Sequence, residues 1–302
     1  MRGLNKTIAV VVTYNRLELL KQCISALQNQ SYPCDILIVN NDSTDDTENW
    51  ATEYVKTVNN IHYINTGKNI GGAGGFNKGM RWAVERNYEY VWVMDDDCLP
   101  NTDALDKLMQ ADVKLNGEYG YLSSVVLWTD GTECKMNRQK IKKSYYENVH
   151  LLKNSIIQVE QSTFVSLLFQ TKTIKKVGLP IKEFFIWGDD IEYTRRITVR
   201  SNMPSFMVGN SMVVHAMKEN TGSSIATDVP ERINRYRYAF RNENYLYRQE
   251  GIKGFVYYIA KCGLNLLRIL TKSKTNKFKR CSIIISCMVK GLWFNPKIEK
   301  II

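Results

Sequence analysis

At 302 residues, 44% hydrophobic and 24% charged, the chain has an ordinary folded composition, which excludes disorder and favours one α/β core with an appendage. Its seven cysteines are odd in number and scattered, excluding a disulfide framework or a cysteine zinc site and fitting a reducing cytosol. The net charge of +11 is uneven: from Glu231 onward lie 16 Lys/Arg and 4 Asp/Glu, a net of +12 against −1 before it, so the tail seeks phosphate-bearing partners, anionic lipid or nucleic acid.

Met1–Lys6 leads into an apolar run, Thr7–Thr13, that is too short for a signal core and lacks a small-residue cleavage site, so it reads as a buried strand. Further strands are expected at 35–39, 61–65 and 90–94, and helices at 16–29, 44–57, 74–87 and 102–115, with Leu17, Leu20, Ile24 and Leu27 at helical spacing in the first. This alternation predicts a mostly parallel sheet covered on both faces, which binds ligands beyond the carboxyl ends of its strands. Thr13-Tyr14-Asn15, Asn40-Asn41-Asp42 and Asp95-Asp96-Asp97 all stand where a strand should end. From 117 to 215 the pattern becomes mixed, with strands near 120–127, 163–169, 204–208 and 211–215 and a helix near 190–200. Residues 230–302 read as helical throughout, broken at Gly251 and around 271–277, so the expected division is 1–229 and 230–302.

Four segments carry chemistry. Asp95-Asp96-Asp97 crowds three carboxylates at the end of a buried strand, a costly arrangement unless a hard cation such as Mg²⁺ or Mn²⁺ neutralises it and clamps a diphosphate; the alternative is an acidic turn capping the next helix. Asn69–Gly79 is a glycine-rich stretch between strand and helix, suited to bringing backbone amides to an anion, though a plain glycine turn also fits. A dinucleotide site is disfavoured there, because Gly72-x-Gly74-x-x-Asn77 lacks the third glycine and the aspartates would repel phosphates. Trp187-Gly188-Asp189-Asp190 opens a helix after an aromatic run, placing carboxylates for general-base work or, alternatively, for capping. His215 closes an apolar run as either a structural residue or a metal ligand.

The ordered segments Val11–Arg16, Val39–Asp45, Asn69–Gly72, Asp95–Asp97, Trp187–Tyr193 and the later His215 resemble the family-2 glycosyltransferases of GT-A fold over about residues 7–220, with bacterial galactofuranosyltransferases most alike and rhamnosyltransferases as neighbours. The resemblance implies that Thr13, Asn15 and the turn from Asn40 to Asp42 hold the nucleotide, that Asp95, Asp97 and His215 hold Mn²⁺ or Mg²⁺, and that Asp190 is the catalytic base. It further implies donor-side roles for Gly72, Asn77, Asp96 and Asp189, and a sugar pocket lined by Trp187. Asn40 departs from the family's usual aspartate, leaving uracil or thymine open as the base. The implied reaction is inverting transfer of a sugar, galactofuranose from UDP-galactofuranose or else rhamnose from dTDP-rhamnose, onto a lipid-linked cell-surface polysaccharide precursor. A non-catalytic scaffold of the same fold is the competing reading, against which Asp97 and Asp190 stand.

The tail runs 252–270 and 283–292 fall short of the roughly 20 apolar residues that a span requires, so surface-lying helices on an anionic membrane are expected, making the protein peripheral at the cytoplasmic face. The alternative is that they pack on the core or on another copy of the chain as a homo-oligomer. No nucleic-acid motif accompanies the charge, so no such partner is expected. Arg237, Arg241 and Asn242 are placed near the acceptor's phosphates.

Overall fold

The computed structural model describes residues 6–301, so the reading of the first five residues as part of no leader lies outside the described residues, as does the end of the tail at 302. Four strands, β1 (Thr7–Thr13), β2 (Asp35–Asn40), β3 (Ile61–Asn65) and β4 (Tyr90–Asp95), pair in parallel in the order β3-β2-β1-β4. Alternate residues of the β-branched run in β1 serve opposite cores. Ala9 and Val11 join Leu20, Ile24 and Leu27 of α1 (Leu17–Gln28) and Leu105 and Leu108 of α4 (Ala104–Lys114), whereas Ile8, Val10 and Val12 join Phe76, Met80 and Ala83 of α3 (Gly71–Glu85). With both faces covered, every residue of β1 is buried, as expected of a central parallel strand. Helix α2 (Thr47–Thr57) completes this half.

Helix α3 begins at Gly71 and not at 74, so most of the glycine run is helical and is not a loop. The cause is close packing on the sheet. A Cβ on Gly75 would lie 2.5 Å from Val12 Cγ1, and one on Gly79 would lie 2.4 Å from Val10 Cγ1.

The sheet continues through β9 (Leu167–Gln170), β6 (Leu122–Leu127), β10 (Ser205–His215), β8 (Ile156–Gln161) and β7 (Lys140–Ile141), mixing directions, while β5 (Cys98–Pro100) pairs antiparallel with the end of β10. The expected strands at 204–208 and 211–215 are one strand with a bulge between Val208 and Met212, the expected strand at 163–169 shrinks to β9, and β5, β7, β8 and the short α5 (Thr171–Val177) were not anticipated. The helix expected near 190–200 is α6 (Asp189–Arg195), prolonged by a wider turn at Arg196–Arg200.

Helices α7 (Tyr236–Gln249), α8 (Gly251–Lys272) and α9 (Lys277–Trp293) enclose an apolar cluster that includes Phe240, Leu246, Tyr258, Ile269, Ile283 and Ile284, with Trp187 and Ile191 packed against it. The tail is not helical to its end. Residues 294–301 form no helix and return to α3 and the segment after α5, where Leu179 N donates to Glu299 O (2.9 Å), Arg81 pairs with Glu299 (2.7 Å) and Lys182 pairs with the same carboxylate.

Candidate active site

The carboxyl ends of β1, β2 and β4 converge. Register places Val12 beside Asp95 and Thr13 beside Asn40, and the Thr13 hydroxyl donates to Asp96 Oδ2 at 2.7 Å. The Asn15 Oδ1 accepts from Thr44 N at 2.7 Å while the Asn15 amide donates to Ser43 Oγ at 2.9 Å, so this residue, at φ 55°, stitches the β1 turn to the β2 turn. Asp42 stands exposed in that second turn at φ 61°.

Antiparallel pairing of β5 with β10 sets Cys98 opposite His215, and this brings His215 Nε2 to 2.9 Å from Asp97 Oδ1 across 118 positions of sequence. Ligand atoms of Asp95, Asp97 and His215 all lie within 4.8 Å of one another. Two carboxylates and an imidazole suit Mn²⁺ or Mg²⁺ better than a soft metal. His215 Nδ1 meets Asn137 Oδ1 at 2.7 Å, while Asn137 Nδ2 donates to Thr163 Oγ1 at 2.8 Å. With that orientation Nδ1 carries the hydrogen and Nε2 faces the carboxylates, the outer support that a metal-ligating histidine needs.

The electrostatics match a site built for a cation. Burial, reinforced by the charge of Asp97, pushes the Asp95 carboxyl up to about 8, and burial pushes Asp96 up to about 6 against the pull of Arg16. Burial would raise Asp97 too, but hydrogen bonding and charge from His215, then Arg16, hold it below the usual carboxylate range. His215, though disfavoured as a cation by burial, is pushed up to about 10 by its bond to Asp97. Arg16 donates from one nitrogen to Asp96 Oδ1 (3.2 Å) and Asp97 Oδ2 (2.6 Å), a positive group standing among the carboxylates. Sequence reasoning gave Arg16 and Asn137 no role. Arg16 follows the strand-end Thr13-Tyr14-Asn15 directly and could have been paired with the aspartates on charge alone, whereas nothing local marks Asn137.

Facing this cluster is the N-terminus of α6. Burial, then the charges of Asp190 and Asp95, raises Asp189 well above the carboxylate range, so Asp189 lies within electrostatic reach of the metal-ligand cluster. Burial pushes the Asp190 carboxyl up to about 6 although its Oδ1 accepts from Ile191 N at 2.7 Å. Trp187, half-buried, meets the Tyr236 ring edge-on at a centroid distance of 4.9 Å.

Several expected contacts take other work. Asn40 is fully buried, donates to Tyr63 Oη (2.9 Å) and accepts from Ser43 N (2.9 Å), so its side chain builds the turn. Its neighbour Asn41, also buried, donates to Gly71 O at 3.0 Å and leaves its Oδ1 without a partner. Asn77 sits six residues into α3, its side-chain amide donating to Pro180 O (2.8 Å) and to Glu299 (3.3 Å). The amide of Ala73 donates to Phe185 O at 3.2 Å and thus serves a loop carbonyl instead of an anion. Gly72 is the glycine of the α3 first turn whose added Cβ would meet nothing within 4 Å, so it borders open space. Asn242 is fully buried, and Arg241 donates to Glu183 O at 2.7 Å, so neither is free for acceptor phosphates; Arg237 remains exposed.

The sequence profile described as Glycosyl transferase family 2 matches residues 8–164. The chain is 27% identical over 260 residues to galactofuranosyltransferase GlfT1 of Mycolicibacterium smegmatis, covering 81% of this chain and 84% of that protein. It is 32% identical over 119 residues to the GalNAc(5)-diNAcBac-PP-undecaprenol beta-1,3-glucosyltransferase of Campylobacter jejuni, covering 39% of this chain and 37% of the relative. The solved structure of GalNAc-T7 with UDP, GalNAc and Mn²⁺ shares the fold, with a TM-score of 0.68 at 12% identity over 95% of this chain and 55% of that one.

Proposed function

This chain belongs to glycosyl transferase family 2 and is a hexosyltransferase of GT-A architecture, and from that premise we propose that it transfers galactofuranose from UDP-galactofuranose, with inversion, to a lipid-linked precursor of a cell-surface polysaccharide. The observation that carries this reading is the meeting of the Asp95–Asp97–His215 cluster with an α6 N-terminus bearing a carboxyl poised near neutrality. The galactofuranosyl donor is supported by likeness to the mycobacterial relative, and the lipid-linked acceptor by the undecaprenol named in the Campylobacter relative.

Asp95, Asp97 and His215 would hold Mn²⁺ or Mg²⁺, which supplies charge neutralisation for a diphosphate leaving group. Thr13, by holding Asp96, and Asn15, by joining two turns, fix the floor on which the nucleotide lies. Asp42 and Gly72 follow Asn41 and Gly71, which are joined by a hydrogen bond of 3.0 Å, and we place both on the donor side. The guanidinium of Arg16 adds fixed positive charge where negative charge develops on departure. Asp190 takes the proton from the acceptor hydroxyl; with a carboxyl near 6 it is mostly ionised at pH 7 yet basic enough to accept one. Trp187 and Tyr236 form an aromatic wall for the sugar. Attack from the side of Asp190, opposite the diphosphate, inverts the anomeric carbon.

Among the described residues no helix is long and apolar enough to cross a membrane. Helix α8 instead exposes Ile252 (85%), Val256, Leu267 and Leu270 along one stripe, and α9 exposes Phe278 (89%), Ile285, Val289 and Trp293 (75%) along another. Lys253, Arg268, Lys274, Lys277 and Lys279 lie among them. An apolar stripe edged with basic residues supports peripheral attachment to an anionic lipid surface at the cytoplasmic face.

The reading is tested by calorimetric titration of UDP with and without Mn²⁺, repeated on Asp97→Asn. Metal-dependent binding that is lost in the variant is the expected result. UDP binding indifferent to metal and to the substitution overturns the metal site, and binding of dTDP in place of UDP moves the donor to the rhamnose class.

A further inference from the structure

The geometry points to Asn242 as a positioning residue whose side-chain amide clamps the loop Phe184–Gly188 and so delivers Trp187 and Asp190 to the donor. The inference rests on Asp190 being the base.

This loop holds an unusual backbone. Phe185 (φ 65°), Trp187 (φ 64°) and Gly188 (φ 84°) all lie in the left-handed region, where bulky aromatic residues are strained and persist only under external constraint. Its carbonyls are pinned from two sides. Towards α3, Phe185 O accepts from Ala73 N, and Gly71, at φ 73°, makes room for it, since a Cβ there would lie 2.0 Å from that oxygen. Towards α7, three carbonyls converge on one nitrogen: Asn242 Nδ2 donates to Phe184 O (3.0 Å), Ile186 O (3.3 Å) and Trp187 O (2.7 Å).

Asn242 is itself held. Its Oδ1 accepts from Arg241 Nε (3.1 Å) and from another Arg241 nitrogen (2.9 Å), and the Arg241 guanidinium lies 3.9 Å over the Phe294 ring. A fully buried carboxamide that devotes its donors to a single loop contributes direction that an aliphatic side chain of similar volume would not. The far end of α6 is fastened to the same helical region, where Arg195 forms a two-pronged pair with Glu250, both contacts at 2.7 Å. The base-bearing segment is thus framed by α7 before it and by the start of α8 after it.

The test uses the full chain with Asn242→Leu, which keeps the branching at Cγ and removes the donors, and Asn242→Asp, which keeps the shape and replaces donors with acceptors. Amide hydrogen exchange over residues 184–190 is expected to quicken about tenfold or more, while residues 90–97 and the affinity for UDP with Mn²⁺ stay within about twofold. With UDP-galactofuranose, kcat for UDP release is expected to fall about tenfold or more with donor KM within about threefold. Unchanged exchange over 184–190 in either folded variant overturns the clamp, whichever donor the enzyme uses. A matching fall in UDP affinity also overturns it, because it marks general damage. Asp190→Asn runs alongside: full turnover in that variant removes the base assignment, while the exchange data still decide the clamp.

Discussion

Among the side chains of the site, one chemical group is tuned to opposite ends by its surroundings. Asp97, bonded to His215 and Arg16, is held anionic, as the proposed ligation requires, while the half-buried Asp190 is pushed up to about 6 by desolvation against the backbone amides it accepts from. With Asp190 as the proposed base its ionised form is the active one, so the transfer rate should be level above that value and fall about tenfold per pH unit below it, read as the acid limb of kcat against pH. Asp190→Asn should remove that limb and about 10²–10⁴ of the rate while UDP binding persists; an intact limb in the variant would assign it to another group. Carboxylates at strand ends and at a helix start were legible because their chemistry is local to a short motif. The structural partners of Asn40, Asn77 and Asn242 were not legible, for the opposite reason. An amide announces hydrogen bonding but not its partner, and their partners, Tyr63, Pro180 and the Phe184–Trp187 carbonyls, lie 23 to 103 residues away in sequence.

Elements whose pattern is set by burial on both faces were legible almost to their ends: β1 to β4 and the helices between them follow from apolar runs alternating with 3.6-residue periodicity. Elements defined by a partner were not. The three-residue β5 exists because β10 passes beside it, and β8 fills the gap between β10 and β7 without a strong apolar signature of its own. The helix was expected to open at 74, with the glycines before it kept for an anion or a turn, but it opens at Gly71, since helix–sheet contact overrides propensity when only a hydrogen fits. Gly79→Ala tests that reason. Its new methyl would lie 2.4 Å from Val10 Cγ1, so a loss of about 1–3 kcal/mol is expected in the urea midpoint. Gly72→Ala, whose methyl meets nothing, should leave stability within about 1 kcal/mol, since a helical Ala is preferred over Gly by roughly that amount. Equal effects at the two positions would refute packing as the cause.

Across the whole molecule, charge and apolar surface divide unevenly. The basic excess lies in the last quarter of the chain, where α8 and α9 also present their bare apolar stripes. Phe278→Glu with Trp293→Glu should weaken binding to vesicles of anionic phospholipid about tenfold or more without moving the urea midpoint, because both side chains are largely exposed. Undiminished binding would place the lipid contact elsewhere. Removing 252–302 altogether is a poorer test, since it takes away the Glu299 contacts with Arg81 and Lys182 that close over α3. The Asn242 clamp carries a consequence in time. The loop it holds emerges from the ribosome 55 to 58 residues before it. At about 5–20 residues per second, roughly 3–12 s pass between the emergence of the loop and that of Asn242, during which the proposed proton acceptor still lacks its final seat. A ribosome-bound chain from which His215 but not yet Asn242 has emerged should therefore bind nucleotide before it can spend a sugar, so that assembly of the donor site and the onset of turnover are separated by the order of synthesis itself.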